Sequence, residues 1–385
     1  MRFPEFGGEW KKTKLADITK RVLRKNKGVV SERPLTISAQ YGLIDQRDFF
    51  NKVVASENLE GYYLLKRGEF AYNKSYSNEH PWGAVKRLDT YDEGVLSTLY
   101  ICFECFGAHS DWLVHYFDSP KWNGQVSAIA VEGARNHGLL NVAIEDFFGT
   151  QHFIPNNIAE QEKIASFLNL IDERITAQIR IIEDLKSLSD VICERLYNPS
   201  EKGEWQTYKY EDLFSVSNER NSKLQYKNVL SASQEYGMIE RNELNIDIKF
   251  EESSITNYKI VRPNQYVIHL RSFQGGFAYS EKTGVCSPAY TILVPNENLA
   301  TAFLKYYFTS KKFIDSLRIV TYGIRDGRSI SVEEFLQLKV NIPDISQQNH
   351  IVCVMQLWEE KIRTEEAYLF QLQCQKMYLL STMFV

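Results

Sequence analysis

The sequence contains none of the short motifs that mark the common catalytic centres. There is no G-x-x-x-x-G-K-[ST] phosphate loop, no G-x-G-x-x-G after a strand, no H-E-x-x-H and no G-x-S-x-G. The pairs Glu162-Lys163 and Glu360-Lys361 do not argue for a nuclease, because both lie in helical stretches where pairing along one helix explains them. No catalytic residue, metal site or cofactor site is therefore predicted from these motifs.

Long apolar runs are also missing. No stretch of about eighteen apolar residues occurs, and residues 1–5 lack the apolar core of a signal peptide. The 6 cysteines are scattered and form no disulfide framework, which fits a reducing compartment. The protein is predicted to be cytoplasmic.

Metal-ligand spacing is absent around the lone C-x-x-C at Cys102 and Cys105. Zinc would require a second pair or histidines at ligand spacing, and only His109 and His115 follow nearby. Since both cysteines lie in an apolar run, they are predicted to be buried thiols.

A basic excess is absent as well, because the net charge is −4. Basic residues concentrate in residues 11–27, where Asp17 is the single acid and Lys20, Arg21 and Arg24 are candidate phosphate contacts. An exposed helix face would have the same composition, so both interpretations stay open.

An apolar heptad pattern is present, and it occurs twice. Alternating steps of four and three residues connect Ile164, Leu168, Ile171, Ile175, Gln178, Ile182, Leu185, Ser189, Ile192 and Leu196. The same steps, shifted by 187 residues, connect Ile351, Met355, Trp358, Ile362, Glu365, Leu369, Leu372, Lys376, Leu379 and Met383. A period of 3.5 residues held over this length is typical of a coiled-coil seam.

Both helical stretches begin alike. Asn157 and Asp344 are suitable N-cap residues, and three residues later Glu160 and Gln347 could each reach back to the cap amide. An Ile-Pro pair just upstream prevents the helix from starting earlier.

Two interpretations of these helices remain. Either they are unrelated amphipathic helices in separate cores, or they pair with each other and keep the globular segments of the chain apart. Residues 164–196 would form a rod of roughly 50 Å at about 1.5 Å per residue, and antiparallel pairing would place a module at each end.

The duplication extends into the regions between the helices. Residues 41–44, YGLI, recur as YGMI at 236–239, and residues 144–147, IEDF, recur as VEEF at 332–335. This is a repeat of about 190 residues, each copy an α+β module followed by a long helix. The predicted parts are residues 1–155, 156–197, 198–343 and 344–385.

Within the modules, aromatic and β-branched runs predict strands at residues 62–65, 69–72, 258–261 and 265–268. Longer buried strands are predicted at 95–103 and 289–294, followed by helices near 111–117 and 300–310.

Polar and aromatic residues cluster in predicted loops beside these strands. In the first module they are Ser38, Gln40, Tyr41, Asn73, Lys74, Ser75, Tyr76, Arg135 and Asn136. In the second they are Ser231, Ser233, Gln234, Tyr236, His269, Arg271, Ser272, Phe273, Tyr322, Arg325 and Arg328. Gln, Asn, Ser and Arg read base edges, while Tyr and Lys commonly hold phosphates. Turn formation enriches Ser and Asn too, so the hypothesis of a DNA-reading surface depends on their repetition in both modules.

The helix entry at residues 154–168, IPNNIAEQEKIASFL, and the segment LIDERI at 170–175 resemble the most recognisable motif of the specificity subunits of type I restriction-modification systems. The second copy, IPDISQQ at 342–348 with WEEKI at 358–362, is a weaker match. In that family two target-recognition domains alternate with two long helices. The resemblance is specific in the helices and vague in the recognition domains.

This resemblance implies a subunit without catalysis, in which each domain reads one half of a split, asymmetric DNA target. The long helices would dock two methyltransferase subunits, which bind S-adenosylmethionine, and an endonuclease and translocase subunit would join them. Two alternatives remain: a coiled-coil scaffold whose modules bind other proteins, and a recognition half detached from a fused nuclease-methyltransferase.

Overall fold

The computed structural model describes residues 1–38, 42–50, 55–56, 58–75, 80–130, 140–198, 205–233, 236–241, 252–269, 276–317, 321–322 and 329–385. They form two compact units. Unit 1 comprises residues 1–179 with 367–385, and unit 2 comprises residues 180–366. Each unit thus contains one module and a segment of each long helix.

The elements of the first repeat follow one another in this order: β1 (Lys11–Lys14), β2 (Thr19–Arg21), β3 (Leu35–Ser38), β4 (Gly42–Asp45), α1 (Gln46–Phe50), β5 (Tyr63–Lys66), β6 (Phe70–Asn73), β7 (Ala84–Arg87), β8 (Glu93–Leu96), β9 (Ile101–Cys105), α2 (Ser110–Phe117), α3 (Pro120–Ile129), α4 (Ile144–Gly149), β10 (Gln151–Ile154) and the long helix α5 (Ile158–Leu196).

The second repeat continues in the same way: β11 (Gln206–Lys209), α6 (Tyr210–Leu213), β12 (Phe214–Ser217), β13 (Leu230–Ser233), β14 (Gly237–Glu240), β15 (Lys259–Val261), β16 (Gln265–Ile268), β17 (Phe277–Ser280), β18 (Gly284–Cys286), β19 (Thr291–Pro295), α7 (Phe303–Tyr307), α8 (Lys311–Ser316), β20 (Thr321–Tyr322), β21 (Ser329–Ile330), α9 (Val332–Gln337), β22 (Lys339–Ile342) and the long helix α10 (Ile345–Met383).

The two modules share one sheet topology. The central antiparallel sheet has the order β2-β9-β6-β7 in unit 1 and β12-β19-β16-β17 in unit 2. Two-stranded pairs also correspond, since β1-β10, β3-β4 and β5-β8 match β11-β22, β13-β14 and β15-β18. The internal repeat predicted from the sequence is therefore present in the fold.

The core of each unit continues from the module onto the long helices. In unit 1, Trp112 and Phe103 belong to the same buried cluster as Leu168 of α5 and Leu379 of α10. In unit 2, Phe303 belongs to one buried cluster with Cys193 of α5 and Met355 of α10. Each module therefore packs on both helices at once.

The heptad positions line the contact between the helices. All ten positions on each helix are buried or half-buried, with Leu168 0% and Ile171 7% exposed. In unit 1, Asp172 of α5 lies 2.6 Å from Lys376 of α10, and Arg174 donates to the Tyr368 hydroxyl. Later residues of α5 therefore contact earlier residues of α10, as antiparallel helices require. In unit 2, Lys186 forms an ion pair of 2.7 Å with Glu366. The antiparallel coiled coil predicted from the sequence is confirmed.

Residues 11–27, for which an exposed helix face was one of two open interpretations, contain strands β1 and β2, and β1 pairs with the distant β10 from Lys11 opposite Ile154. Two local predictions are wrong. The single strand expected at 95–103 is two strands, β8 and β9, separated by a turn in which Tyr100 N–H donates to the Ser97 carbonyl oxygen. The helix expected at 300–310 is shorter, Phe303–Tyr307.

The helix starts match the predicted N-cap residues. The Asn157 side-chain oxygen accepts from the Ala159 amide at 2.9 Å, and that of Asp344 accepts from the Gln347 amide at 2.9 Å. Glu160 was expected to reach back to the cap, but it is 1% exposed and accepts from Arg2 Nε at 2.6 Å and Trp10 Nε1 at 3.2 Å.

The prediction of buried thiols holds best for Cys102, which is 1% exposed. Burial raises the pKa of the Cys102 thiol to about 12. Cys105 is half-buried. Among the described residues no group of three or more His, Cys, Asp and Glu side chains is arranged to hold a metal ion. Within the same ranges, no helix combines the length and apolar character needed to cross a membrane.

The seam can be tested with neighbouring residues of one helix. Ile171→Asp is expected to lower the free energy of unfolding by about 3 kcal/mol or more, because it buries a carboxylate. Leu170 is 59% exposed, so Leu170→Asp should change that free energy by no more than about 0.5 kcal/mol. Denaturant titration of both variants is the measurement. Equal losses in the two variants would contradict the seam.

Candidate nucleic-acid interface

The candidate base-reading residues fall into two groups. Those outside the described residues are Gln40, Tyr41, Tyr76, Arg135, Asn136, Gln234, Arg271, Ser272, Phe273, Arg325 and Arg328. Tyr322 is described for its backbone, which pairs with Ser329 in the β20-β21 ladder. The remaining candidates lie in strands and turns next to these segments.

In unit 1 the fold brings three of the predicted loops to one region. Ser38 pairs with Gly42 at the end of the β3-β4 hairpin, and β4 packs beside β7. The start of the connection between β6 and β7 is joined to the segment after residue 139, because Leu140 N–H donates to the Lys74 carbonyl oxygen at 2.9 Å. Residues far apart in sequence thus meet at one end of the module.

The described side chains at this end have different environments. Ser38 is buried, and the Asn73 side-chain oxygen accepts from the Ser75 amide at 3.0 Å, which shapes the start of the turn. Lys74 is half-buried and Ser75 is exposed. Lys74 and Ser75 are therefore the described members of this hairpin that can contact a ligand.

In unit 2 the corresponding hairpin has the same geometry. Gly237 has φ 70°, as Gly42 has φ 73°, and a Cβ on Gly237 would lie 2.4 Å from the Tyr279 carbonyl oxygen. Glycine at 237 is thus required both by its positive φ and by a turn that packs closely on β17, whereas Gly42 shares only the positive φ. Ser233 Oγ accepts from the Tyr236 amide at 3.2 Å, and the Tyr236 side chain is 67% exposed.

Two other candidates of unit 2 are His269, directly after β16, and Ser231, within β13. The His269 amide donates to the Gly276 carbonyl oxygen at 2.8 Å across the β16-β17 hairpin, and burial lowers the pKa of its imidazole. Ser231 Oγ accepts from Arg241 Nε at 3.2 Å. Both residues are thus held by contacts within unit 2.

The basic candidates lie elsewhere in unit 1. Lys20 and Arg21 belong to β2, the edge strand opposite β7 in the order β2-β9-β6-β7. The Lys20 side chain is 74% exposed and 3.8 Å from Glu104. Arg24 instead forms a bidentate ion pair with Glu69, at 3.0 and 3.2 Å, and the Glu69 side chain is 8% exposed. Arg24 is thus engaged within the module.

The sequence of the second half matches a known family. Residues 202–373 match the family model described as type I restriction modification DNA specificity domain. This region contains the second module and most of α10, the copy whose helix motif is the weaker of the two. Comparison with curated proteins finds no match.

Solved structures share the fold along nearly the whole chain. One, described as the structural basis underlying complex assembly and conformational transition of the type I R-M system, has a TM-score of 0.60 at 14% identity, covering 98% of this chain and 97% of that one. The type-I restriction-modification system S subunit from M. genitalium has a TM-score of 0.52 at 13% identity, covering 100% and 99%.

These findings define the class: two α+β modules combined with an antiparallel pair of long helices. The resemblance to specificity subunits of type I restriction-modification systems, inferred from the helix motif, is confirmed by the family match in the second half and by the fold.

Sequence reasoning missed two buried polar residues, Gln161 and Gln348, which contact the modules. They follow the 187-residue shift of the heptads, and that regularity could have identified them.

The two basic environments predict different mutant behaviour in the assembled complex. Lys20→Ala should weaken DNA binding evenly across sequences and reduce the slope of log Kd against log salt by about 1. Arg24→Ala should leave that slope unchanged and lower the free energy of unfolding by about 1–3 kcal/mol, since Glu69 loses its partner. Salt-series titrations and denaturant melts distinguish these results. A loss of slope in Arg24→Ala alone would reverse the assignment.

Proposed function

We propose that this chain is the DNA-specificity subunit of a type I restriction-modification complex, with unit 1 and unit 2 each reading one half of a split target. The repetition of one module with one strand order supports this proposal most strongly. Two modules with the same fold would recognise two half-sites through equivalent loops.

Differences between equivalent positions favour an asymmetric target. Beyond β6 the first module carries Lys74, whereas beyond β16 the second carries His269. A lysine ammonium donates hydrogen bonds, while a neutral imidazole both donates and accepts. The two half-sites would therefore differ in sequence.

Exposed apolar residues on the long helices support docking of partner subunits. In unit 1, Leu170 is 59% and Tyr368 is 38% exposed, and in unit 2, Leu357 is 61% and Ile181 is 45% exposed. The shift of 187 residues pairs Leu170 with Leu357 and Ile181 with Tyr368. Each unit thus has the same pair of apolar contacts, which suits two copies of one partner.

A groove in unit 1 gives this surface its shape. It has a volume of about 480 Å³ and is lined by Leu170, Arg174, Ala177 and Leu372, among others. Two methyltransferase subunits, which would bind S-adenosylmethionine, are the proposed occupants of the helix surfaces. An endonuclease and translocase subunit would complete the assembly in the cytoplasm, where host DNA is found.

Near-neutral modules are consistent with shared DNA binding, because residues 1–155 carry 19 basic and 19 acidic groups. Partner subunits would then supply much of the phosphate contact. The subunit alone is expected to bind DNA weakly.

A gel-shift salt series, with and without a co-expressed methyltransferase, tests the proposal. The complex should give a salt-dependent shift at least tenfold tighter than the subunit alone. The double variant Leu170→Asp, Leu357→Asp should lose this gain while its unfolding free energy stays unchanged. A protein-binding scaffold would give no salt-dependent shift in either state, and that result would refute the proposal.

Exchange of one module tests the assignment of half-sites. Replacing residues 1–155 with the corresponding domain of another specificity subunit should change one half of the methylated sequence and preserve the other half. Sequencing of methylated DNA is the measurement. Changes in both halves would show that the modules are not independent readers.

A further inference from the structure

A buried glutamine joins the first module to its long helix. Gln161, in the first turn of α5, is 2% exposed. Its side-chain oxygen accepts from the His109 amide at 2.7 Å, and its side-chain nitrogen donates to the Pro155 carbonyl oxygen at 2.8 Å. His109 lies directly before α2, so this one side chain connects the helix start, the preceding strand and the module.

The second module repeats this arrangement 187 residues later. Gln348 is 1% exposed, and its side-chain oxygen accepts from the Ala300 amide at 2.8 Å. Its side-chain nitrogen donates to the carbonyl oxygens of Pro343 and Asn298, both at 2.9 Å. The same three structural elements are therefore joined in both units.

These contacts use chemistry that few side chains offer. An amide donates and accepts at the same time without carrying a charge, so it satisfies a buried N–H and a buried carbonyl together. An apolar side chain of equal size would leave both backbone groups unpaired, at a cost of about 1–3 kcal/mol each. A carboxylate would face the carbonyl oxygens without a proton to donate.

A second attachment lies eleven residues further along each helix, which is about three turns. In unit 1, His115 of α2 bonds Asn169 at 2.7 Å and lies 3.8 Å from Asp172. In unit 2, the position equivalent to Asp172 is Glu359, which Tyr306 bonds at 2.7 Å and Lys305 at 3.0 Å. Two separated polar contacts thus add directional constraints to the apolar packing between each module and the helices.

We propose that Gln161 and Gln348 are positioning residues that set the angle between each recognition module and its long helix, and through that angle the gap between the two half-sites. This inference rests on the proposed function. Neither glutamine would touch DNA, since both are buried inside their units.

The test uses the complex of this subunit with methyltransferase subunits and a set of DNA duplexes. Both half-sites are kept, and the gap varies from three base pairs shorter to three longer than the native one. Gln161→Leu and Gln348→Leu should methylate the same half-sites but lose at least tenfold of the preference for the native gap. Gln347→Leu, the same substitution at the exposed neighbouring residue, should keep that preference.

An equal loss of methylation at every gap would mean that the glutamines merely stabilise the fold, and it would overturn the proposal. Altered half-site bases would do the same. If the leucine variants do not fold, Glu359→Gln tests the second attachment at a half-buried position. This variant should also reduce the preference for the native gap. An unchanged gap preference in Glu359→Gln would then count against the proposal.

Hydrogen exchange provides a measurement that does not depend on DNA. The Ala300 amide should exchange at least tenfold faster in Gln348→Leu than in Gln347→Leu, while amides of β16 and β19 stay protected. Equal exchange in both variants would overturn the attachment. If the unchanged protein methylates no split site at any gap, the proposed function fails, and the exchange result still decides whether the glutamine holds the module.

Discussion

Burial of one apolar stripe of each long helix against the other is the interaction on which the rest of this molecule depends. Each buried Ile or Leu at the seam contributes on the order of 1.5–3 kcal/mol by leaving water, and the seam positions run the length of both helices. The module cores include seam residues such as Leu168 and Met355, so neither module is complete without the helices. Polar seam residues, among them the buried Gln178, restrict the register in which the helices can pair.

The modules combine a constant framework with loops that differ. Strand order, the turn with positive φ at Gly42 and Gly237, and the glutamine contacts recur in both units. The residues carried by the loops do not recur in the same way, since Lys74 in one module corresponds to His269 in the other. Under the proposed function, a framework that fixes the loop ends would leave loop sequence free to set base preference.

The long helices could be predicted from the sequence because their determinants are local and periodic. The heptad spacing and the caps at Asn157 and Asp344 are visible without knowledge of tertiary contacts. The strands within residues 11–21 could not be assigned from the sequence, because β1 forms by pairing with residues 151–154 and β2 by pairing with β9, and both partners are distant in sequence. Glu160 shows the same limit, since burial beside Arg2 and Trp10 replaces the bond to the cap that its spacing suggested. The sequence predicted the candidate interface only as a set of loops. The sheet order was needed to show that the hairpin residues and the basic residues of β2 lie in different parts of unit 1.

The central claim is that two recognition units in one chain read two halves of one target. Mapping every methylated base in DNA modified by the assembled complex tests it most directly. The account predicts a single asymmetric motif made of two short specific halves with a gap of constant length between them. A continuous motif, or two halves found at many different gaps, would contradict it.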